Sequence, residues 1–279
     1  MATIESLSAF VEAKLPRHPR LLALTGAGCS TASGIPDYRD ERGEWKRAAP
    51  MHFPEFVSSE EKRKRYWARS MAGWRAFSKA APNQVHQLLA QLEDSGSLHH
   101  LLTQNVDGLH QRAGSNRVVD LHGRLDEVVC LDCGAHTSRA EIQDRLEAQN
   151  PDWAYEVKQI APDGDVDLER VDYARFQLVA CDRCGGVLKP DVVFFGENVP
   201  KPRVEFALAR LREADALLVV GSSLMVYSGF RFARAAQAAG LPIVIFNRGQ
   251  TRADDLAQFK LEQDVGTSLT ALTQALTRP

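Results

Sequence analysis

Short apolar runs alternate with stretches of helical periodicity along most of the chain, and this alternation constrains the fold more than any other feature. The runs suit buried strands, and they lie at 21–24, 101–102, 118–119, 216–220 and 243–246. Helices are predicted at about 4–15, 83–95, 139–148, 202–214, 230–239 and 269–276. Strands that alternate with helices in this way form a parallel sheet with helices on its faces. The sequence therefore predicts an α/β fold.

The first run leads into a stretch rich in glycine and hydroxyl residues, LLALTGAGCSTASGIPDYR from Leu21 to Arg39. A strand that ends in glycines and opens into a helix N-terminus can bind phosphate, because unpaired N–H groups and the helix dipole face the anion. Thr31 occupies the place of the third glycine in the dinucleotide-binding fingerprint, and no acidic residue ends the next strand. These residues alone leave a tight turn and a Rossmann-like nucleotide site equally acceptable.

Small, amide or ionisable residues follow the other predicted strands as well. The carboxyl ends of parallel strands meet at one edge of the sheet, where ligands bind. Any one polar loop has a simple structural interpretation, but a set of five favours a binding site. The five are Gly26-Ala27-Gly28, Gln104-Asn105-Val106-Asp107, His122-Gly123, Gly221-Ser222-Ser223 and Asn247-Arg248-Gly249.

Two CxxC pairs, Cys130 with Cys133 and Cys181 with Cys184, have the spacing of zinc knuckles. Redox-active motifs and disulfides are the alternatives, but an odd total of five cysteines without an export signal favours a reducing compartment. Four thiolates leave no coordination position for water, so the predicted zinc is structural. Cys29 is interpreted as a small buried residue beside the glycine loop, with a reactive thiol as the less favoured alternative.

Composition and charge exclude several classes of protein. A net charge of −2 argues against a general nucleic-acid surface. The first 20 residues lack the apolar core of a secretory signal, and the chain contains no apolar run of 18 residues. We expect a cytoplasmic protein without nucleic-acid or membrane partners, and the oligomeric state stays open.

Residues 40–80 differ in character from their surroundings, since charges cluster there and aromatic residues are interleaved with them. They predict a helical pair inserted after the first strand. The predicted organisation is a sheet domain in three parts, a helical insertion and a smaller zinc-binding domain. In order, these are sheet domain 1–42, insertion 43–80, sheet domain 81–127, zinc-binding domain 128–187 and sheet domain 188–279.

From about residue 20 onward the motifs, in their order, resemble those of the sirtuin family. They are GAGCSTASGIPDYR, TQNVDGLHQRAG, LHG, the CxxC pairs, KPDVVFFGENVP, GSSLMVYSG and NRG. The segments NPDW, APDGDVD and RYWAR are similar to those of the class II branch, which includes a mitochondrial animal member. The resemblance implies a Rossmann-like NAD domain and an NAD⁺-dependent protein-lysine deacylase. Such an enzyme consumes NAD⁺ as a co-substrate and forms nicotinamide, free lysine and O-acyl-ADP-ribose.

The resemblance also implies roles for individual residues. A lone histidine before a glycine is more often structural, but the motif makes His122 the general base that activates a ribose hydroxyl. Asn105 would orient the ribose or a water molecule, and Asp107 would accept a hydrogen bond from the nicotinamide carboxamide. The implied cofactor-binding residues are Gly26, Ala27, Gly28, Ser30, Ile35, Pro36, Asp37, Tyr38, Arg39, Gln104, Asn105, Val106, Asp107, Gly221, Ser222, Ser223, Asn247, Arg248, Gly249 and Val265.

An acyl-lysine peptide is the implied protein substrate. It would add as a strand between Gly196-Glu197 and the loop at 224–226, with Val193 and Phe195 lining the acyl-lysine tunnel. Tyr66 and Arg69 lie three residues apart on a predicted helix and resemble a pair found in succinyl- and glutaryl-preferring sirtuins. Because arginine binds carboxylates in a bidentate manner, we expect acyl chains with a terminal carboxylate to be accepted. The alternative is a packing Tyr66 and a solvated Arg69.

Other functions compete with deacylation. The same NAD⁺ cleavage could transfer ADP-ribose to protein, or release a bulky acyl group such as lipoyl. A non-catalytic NAD or ADP-ribose sensor is a further alternative, which the presence of His122, Asn105 and Asp107 disfavours. Thr31 and the missing ribose-binding acid disfavour a dehydrogenase, and the charge balance disfavours a zinc-containing nucleic-acid module.

Overall fold

The computed structural model describes residues 2–46, 50–153, 160–166, 168 and 171–277. The strands are β1 Leu21–Thr25, β2 Leu98–Thr103, β3 Val118–Asp120, β4 Gly123–Cys130, β5 His136–Ser138, β6 Leu188–Val192, β7 Ala216–Val220, β8 Ile243–Phe246 and β9 Phe259–Leu261. The helices are α1 Ile4–Lys14, α2 Phe53–Ser58, α3 Glu60–Phe77, α4 Gln84–Asp94, α5 Leu109–Arg112, α6 Arg139–Gln149, α7 Lys201–Arg212, α8 Tyr227–Ala238 and α9 Val265–Thr277.

The larger sheet confirms the predicted α/β fold. In the described residues its strands run in the order β3-β2-β1-β7-β8-β9, and every pairing is parallel. β1 and β7 are buried along their whole length, as expected for central strands that are covered on both faces. β1 pairs with β2 on one side and with β7 on the other. The order of the strands therefore reverses at β1, and such a switch point opens a crevice at the carboxyl ends of the strands.

Helices cover both faces of this sheet, giving the three layers of a Rossmann-like fold. Alternate residues of β1 face opposite sides, so Leu21 packs with α1, α4 and α9, whereas Leu22 packs with α7 and α8. Phe232 of α8 is fully buried in the second layer. Burial of two apolar layers explains why the central strands contain continuous apolar sequence.

A smaller antiparallel sheet, in the order β5-β4-β6, forms a second core with α2, α3 and α6. The sequence predicted the helices of this part but not the sheet. β4 mixes charged and apolar residues, and β6 contains Pro190, which is typical only of edge strands. The predicted helical pair is confirmed as α2 and α3, although the first helix begins only at Phe53. The bounds of the five predicted segments stay predictions.

The predicted helix after β1 is wrong. The chain instead makes two short 3-10 turns, Ala27–Cys29 and Thr31–Ser33, and leaves the second through Gly34 at φ +83°. The Gly28 N–H donates to the Gly221 carbonyl at 2.9 Å, which ties this segment to the end of β7. The dipole of a regular helix is therefore absent from this part of the predicted phosphate site.

Within the described residues, no helix combines the length and the apolar character that a membrane crossing requires.

Candidate functional site

A cavity of about 1140 Å³ lies at the carboxyl ends of the central strands and extends to the smaller sheet. It is lined by all the predicted cofactor- and substrate-binding residues except Pro36 and Gly249. Gly249 instead packs against the backbone of Glu41, where an added Cβ would lie 2.2 Å from the carbonyl oxygen. The structure thus brings together residues that are more than 200 positions apart in the sequence.

The two glycine loops pack directly on each other at the switch point. A Cβ added to Gly26 would lie 2.7 Å from the Ser222 Cβ, and one added to Gly28 would lie 2.9 Å from the Gly221 Cα. The N–H groups of Gly26 and Gly28 donate to the carbonyls of Val220 and Gly221. The expectation that these two N–H groups are unpaired is therefore wrong, because they hold the loops together.

Ser30 forms a buried connection between two of the predicted functional residues. Its hydroxyl donates to Asp107 Oδ2 at 2.7 Å and accepts from Asn105 Nδ2 at 3.1 Å. Asn105 Nδ2 also lies 3.1 Å from the Gly26 carbonyl oxygen, so one network joins the ends of β1 and β2. With 1% of its surface exposed, Ser30 orients Asn105 and Asp107 through its side chain.

His122 is held at both ring nitrogens. Nδ1 lies 2.9 Å from the Gln104 carbonyl oxygen, and Nε2 lies 2.8 Å from Ser228 Oγ. A carbonyl oxygen can only accept, so this network assigns the proton to Nδ1 and leaves the lone pair on Nε2. Burial, together with the nearby Arg203 and Arg231, lowers the pKa of His122 to about 4, although the hydrogen bond to the Gln104 carbonyl acts in the opposite direction. The imidazole is therefore neutral at pH 7 and can accept a proton at Nε2.

The segment after the second 3-10 turn is fastened by charged side chains beside the cavity. Asp37 Oδ1 accepts from Lys46 Nζ at 2.5 Å. The Arg39 guanidinium lies 4.0 Å from the centre of the Trp45 ring and donates to the Gly43 carbonyl. These contacts fix the segment from Asp37 to Lys46 beside the cavity.

The predicted peptide and acyl-lysine residues lie on the side of the cavity that faces the smaller sheet. The Phe195 ring makes edge contacts with Trp45 at 5.5 Å and Tyr38 at 6.4 Å. The Glu197 carboxylate accepts from Lys189 Nζ at 3.0 Å and from the Phe194 N–H at 2.9 Å, so it fixes the loop at this end.

Tyr66 and Arg69 both line the cavity from α3, as their spacing predicts. Tyr66 is 8% exposed and packs among aromatic rings, with Phe56 at 5.4 Å and Phe194 at 5.2 Å. Arg69 Nε lies 2.9 Å from Asp165 Oδ1, and its side chain is 14% exposed. In the structure Arg69 is paired with Asp165 rather than solvated, and Tyr66 packs against its aromatic neighbours.

The four paired cysteines converge in the smaller domain. Their sulfur atoms all lie within 4.8 Å of one another, with Cys130 and Cys184 at 3.5 Å and Cys133 and Cys181 at 3.8 Å. Tetrahedral zinc with Zn–S bonds of about 2.3 Å requires sulfur atoms about 3.8 Å apart. All four are free thiols rather than disulfides. The cluster therefore fits a structural zinc ion.

Cys29 has the buried position that was predicted for it. Its side chain is 1% exposed, and its sulfur lies 3.2 Å from the Val220 carbonyl oxygen. Burial raises the pKa of the Cys29 thiol to about 12, which disfavours the reactive thiolate.

Two groups of cavity residues were not assigned from the sequence. Ser228 contacts the predicted base, but the predicted helix began at residue 230 and excluded the turn that carries it. Asp163 and Asp165 line the cavity from a segment interpreted as an acidic loop. The sequence motif GSSLMVYSG contained the signal for Ser228, whereas nothing in the sequence pairs Asp165 with Arg69.

Comparisons with known proteins agree with this architecture. The profile of the Sir2 family matches residues 26–228. The chain is 56% identical over 268 residues to NAD-dependent protein deacetylase 2 of Bradyrhizobium diazoefficiens, covering 96% of this chain and 97% of the relative. It is 52% identical over 253 residues to the NAD-dependent protein lipoamidase sirtuin-4, mitochondrial, of Bos taurus, covering 90% of this chain and 80% of the relative. A solved structure described as "Sir2-p53 peptide-NAD+" matches with a TM-score of 0.74 and 30% identity over 98% of both chains.

The fold and the site together define a Rossmann-like protein with a nucleotide crevice at its switch point and an attached four-cysteine domain. The chain belongs to the Sir2 family, which confirms the resemblance to sirtuins. The mitochondrial bovine relative agrees with the class II branch.

Proposed function

We propose that this chain is an NAD⁺-dependent protein-lysine deacylase that forms nicotinamide, free lysine and O-acyl-ADP-ribose. The observation that carries the proposal is the neutral His122, whose Nε2 lone pair lies in a cavity shared with Asn105 and Asp107. The curated bacterial relatives are named NAD-dependent protein deacetylases, which agrees with the predicted enzyme class.

NAD⁺ is the proposed co-substrate, bound across the ends of β1, β2, β7 and β8. Asn247, Arg248 and Val265 are proposed for the adenosine end, because they line the cavity beside β8 and the start of α9. Asp107 is proposed for the nicotinamide carboxamide. His122 takes a proton at Nε2 from a ribose hydroxyl, since its Nδ1 proton is committed to the Gln104 carbonyl.

The four cysteines are proposed to hold one structural zinc ion, which would connect the end of β4 to the turn before β6. A closed thiolate shell supplies folding free energy and no open coordination position.

The substrate is proposed to be a protein or peptide with an acylated lysine. A solved structure described as "Sir2 bound to acetylated peptide" matches this chain with a TM-score of 0.73 over 98% of its length. The peptide is proposed to add as a strand beside Gly196-Glu197 and the loop at 224–226. Leu224 of that loop has a φ of +55°, a rare conformation for a residue with a side chain.

The experiment that tests the proposal is a panel of acyl-lysine peptides incubated with NAD⁺ and followed by mass spectrometry. We expect loss of the acyl group, formation of O-acyl-ADP-ribose, and complete dependence on His122 in a His122→Ala control. Nicotinamide release that needs no acyl peptide would contradict deacylation. Modified protein instead of O-acyl-ADP-ribose would identify an ADP-ribosyltransferase, and no nicotinamide at all would identify a sensor.

Acceptance of acyl chains with a terminal carboxylate is proposed for the region around Arg69. In the structure Asp165 already provides a carboxylate to this guanidinium. A succinyl or glutaryl carboxylate would have to displace Asp165 from Arg69. We therefore expect these acyl chains to bind more weakly than they would to an arginine without an ion-pair partner.

Removal of a bulky neutral acyl group is the second candidate. The aromatic packing of Tyr66, Phe56 and Phe194 gives this end of the cavity an apolar wall. The bovine relative is named a lipoamidase. A cytoplasmic location is proposed from the cysteine content.

A further inference from the structure

Ser228 is the one polar group that contacts Nε2 of His122 among the described residues, with Oγ at 2.8 Å. It lies in the first turn of α8. The next residue, Gly229, packs against Gln104 so closely that an added Cβ would lie 2.4 Å from Gln104 Oε1. Because the Gln104 carbonyl binds Nδ1 of the same ring, the hydroxyl of Ser228 and the carbonyl of Gln104 are fixed relative to each other.

Apart from Ser228, few groups around His122 stabilise its protonated, positively charged form. The charged groups that act on the ring are Arg203 of α7 and Arg231 of α8, and both are cations. In the described part of the chain, the hydrogen-bond partners of the ring are a backbone carbonyl and the Ser228 hydroxyl, with no carboxylate. When such a base takes up a proton, its new N–H group needs a hydrogen-bond acceptor, and the Ser228 hydroxyl is the group in contact with Nε2.

A serine hydroxyl can form a hydrogen bond with the ring in both protonation states, since it carries one donor and two acceptor positions. With His122 neutral, the Ser228 hydroxyl donates to the Nε2 lone pair. Rotation about its Cβ–Oγ bond releases that lone pair and turns an oxygen lone pair toward the ring. Neither state requires Ser228 to gain or lose a proton.

We propose that Ser228 is a positioning residue for the general base, which orients the neutral ring and then accepts the new Nε2–H of the imidazolium. The inference rests on the proposed function of His122. In the step concerned, the ribose O–H bond breaks and an N–H bond forms on Nε2. The electron pair of the broken bond stays on the ribose oxygen, and Ser228 keeps its own proton.

Removal of the hydroxyl is expected to affect turnover and not cofactor binding. A hydrogen bond to a charged group is strong enough that Ser228→Ala should lower kcat by about 10- to 100-fold. The KM for NAD⁺ should stay within about twofold, because Ser228 acts through the base. Ser228→Thr keeps the hydroxyl and should restore kcat to within about threefold. Ser95→Ala, at an exposed helix end, is the matched control.

Two readouts separate this role from a structural one. Without an acceptor the imidazolium is less stable, so the pKa of the base falls and the acidic limb of the kcat profile moves to lower pH in Ser228→Ala. In the folded protein without substrate, the ¹⁵N resonance of His122 Nε2 should also move toward the chemical shift of an imidazole nitrogen whose lone pair accepts no hydrogen bond. Should Ser228→Ala fold poorly, Ser228→Cys offers a weak hydrogen-bonding group and is expected to show the same loss.

The outcome that overturns the proposal is a kcat within twofold of wild type for Ser228→Ala with an unchanged Nε2 resonance, while His122→Ala is inactive. Equal losses in Ser228→Ala and Ser228→Thr would also overturn it. Full turnover in His122→Ala would instead overturn the proposed function, so the two failures are distinguishable.

Discussion

Arg69 and Asp165 form an ion pair in the wall of the cavity, with Arg69 Nε 2.9 Å from Asp165 Oδ1. The two residues lie 96 positions apart in the sequence. The pair places a carboxylate of the protein where a carboxylate of the acyl chain is proposed to bind. The acyl preference therefore depends on the competition between the two.

Asp165→Asn should raise the preference for glutaryl-lysine over acetyl-lysine peptides. The substitution removes the competing charge, and an arginine–carboxylate hydrogen bond is worth about 1.5–3 kcal/mol, so we expect the kcat/KM ratio to rise by about tenfold. Arg69→Ala should lower the same ratio. Asp152→Asn, an exposed position in the same domain, is the matched control. An unchanged ratio in both Asp165→Asn and Arg69→Ala would contradict carboxylate recognition at this site.

Ser30→Ala should impair turnover through Asn105 and Asp107. The substitution leaves the half-buried Asn105 amide and Asp107 carboxylate with fewer partners, which costs about 0.5–1.5 kcal/mol of folding stability. We expect a lower melting temperature and a reduced kcat. Thr31→Ala, which removes an exposed neighbouring hydroxyl, should change neither quantity appreciably. Wild-type kcat in Ser30→Ala would show that the network does not position these residues.

Substitution of one paired cysteine should remove zinc and destabilise the smaller domain. Cys130→Ser breaks the four-thiolate set, and structural zinc contributes folding free energy directly. Metal analysis should give about one zinc per wild-type chain and much less for Cys130→Ser. Cys29→Ala serves as the control because Cys29 lies outside the cluster, and its zinc content should match wild type. Full zinc content in Cys130→Ser would contradict the assignment.

Stability should fall as the pH drops from about 6.5 toward 4. Burial lowers the pKa values of His86, His100 and His122 to about 4, and it holds the pKa of His110 well below its ordinary value. Below the unfolded pKa of about 6.5 the unfolded chain binds more protons than the folded chain, so folding loses free energy. Thermal unfolding between pH 7.5 and about 4 measures this. A melting temperature that stays constant down to about pH 4.5 would contradict neutral buried imidazoles.

Much of the fold could be predicted from the sequence because its central strands are buried on both faces. Continuous apolar runs such as Leu217 to Val220 have few alternative environments. The smaller sheet could not be predicted, because β4 is half exposed and packs through scattered residues such as Leu125 and Val128. The prediction of a helix after β1 was wrong because tertiary contacts with Gly221 outweighed the local preference of the sequence for a helix.

Site residues that lie together in one sequence motif could be predicted. Contacts between side chains from distant segments of the chain were missed. The residues after each central strand converge because parallel strands share one edge. The contact between Ser228 and His122 joins positions 106 apart, so the motif that contains Ser228 does not by itself identify its partner. Burial of the Gly26 and Gly28 N–H groups likewise depends on a loop about 190 residues away.

The proposed deacylase activity is tested most directly by product stoichiometry with NAD⁺ and an acetyl-lysine peptide. We predict that nicotinamide, deacetylated peptide and O-acetyl-ADP-ribose form in equal amounts, and that His122→Ala forms none of them. Nicotinamide formed in the absence of acyl peptide, or an increase of NADH absorbance with the peptide unchanged, would contradict the account.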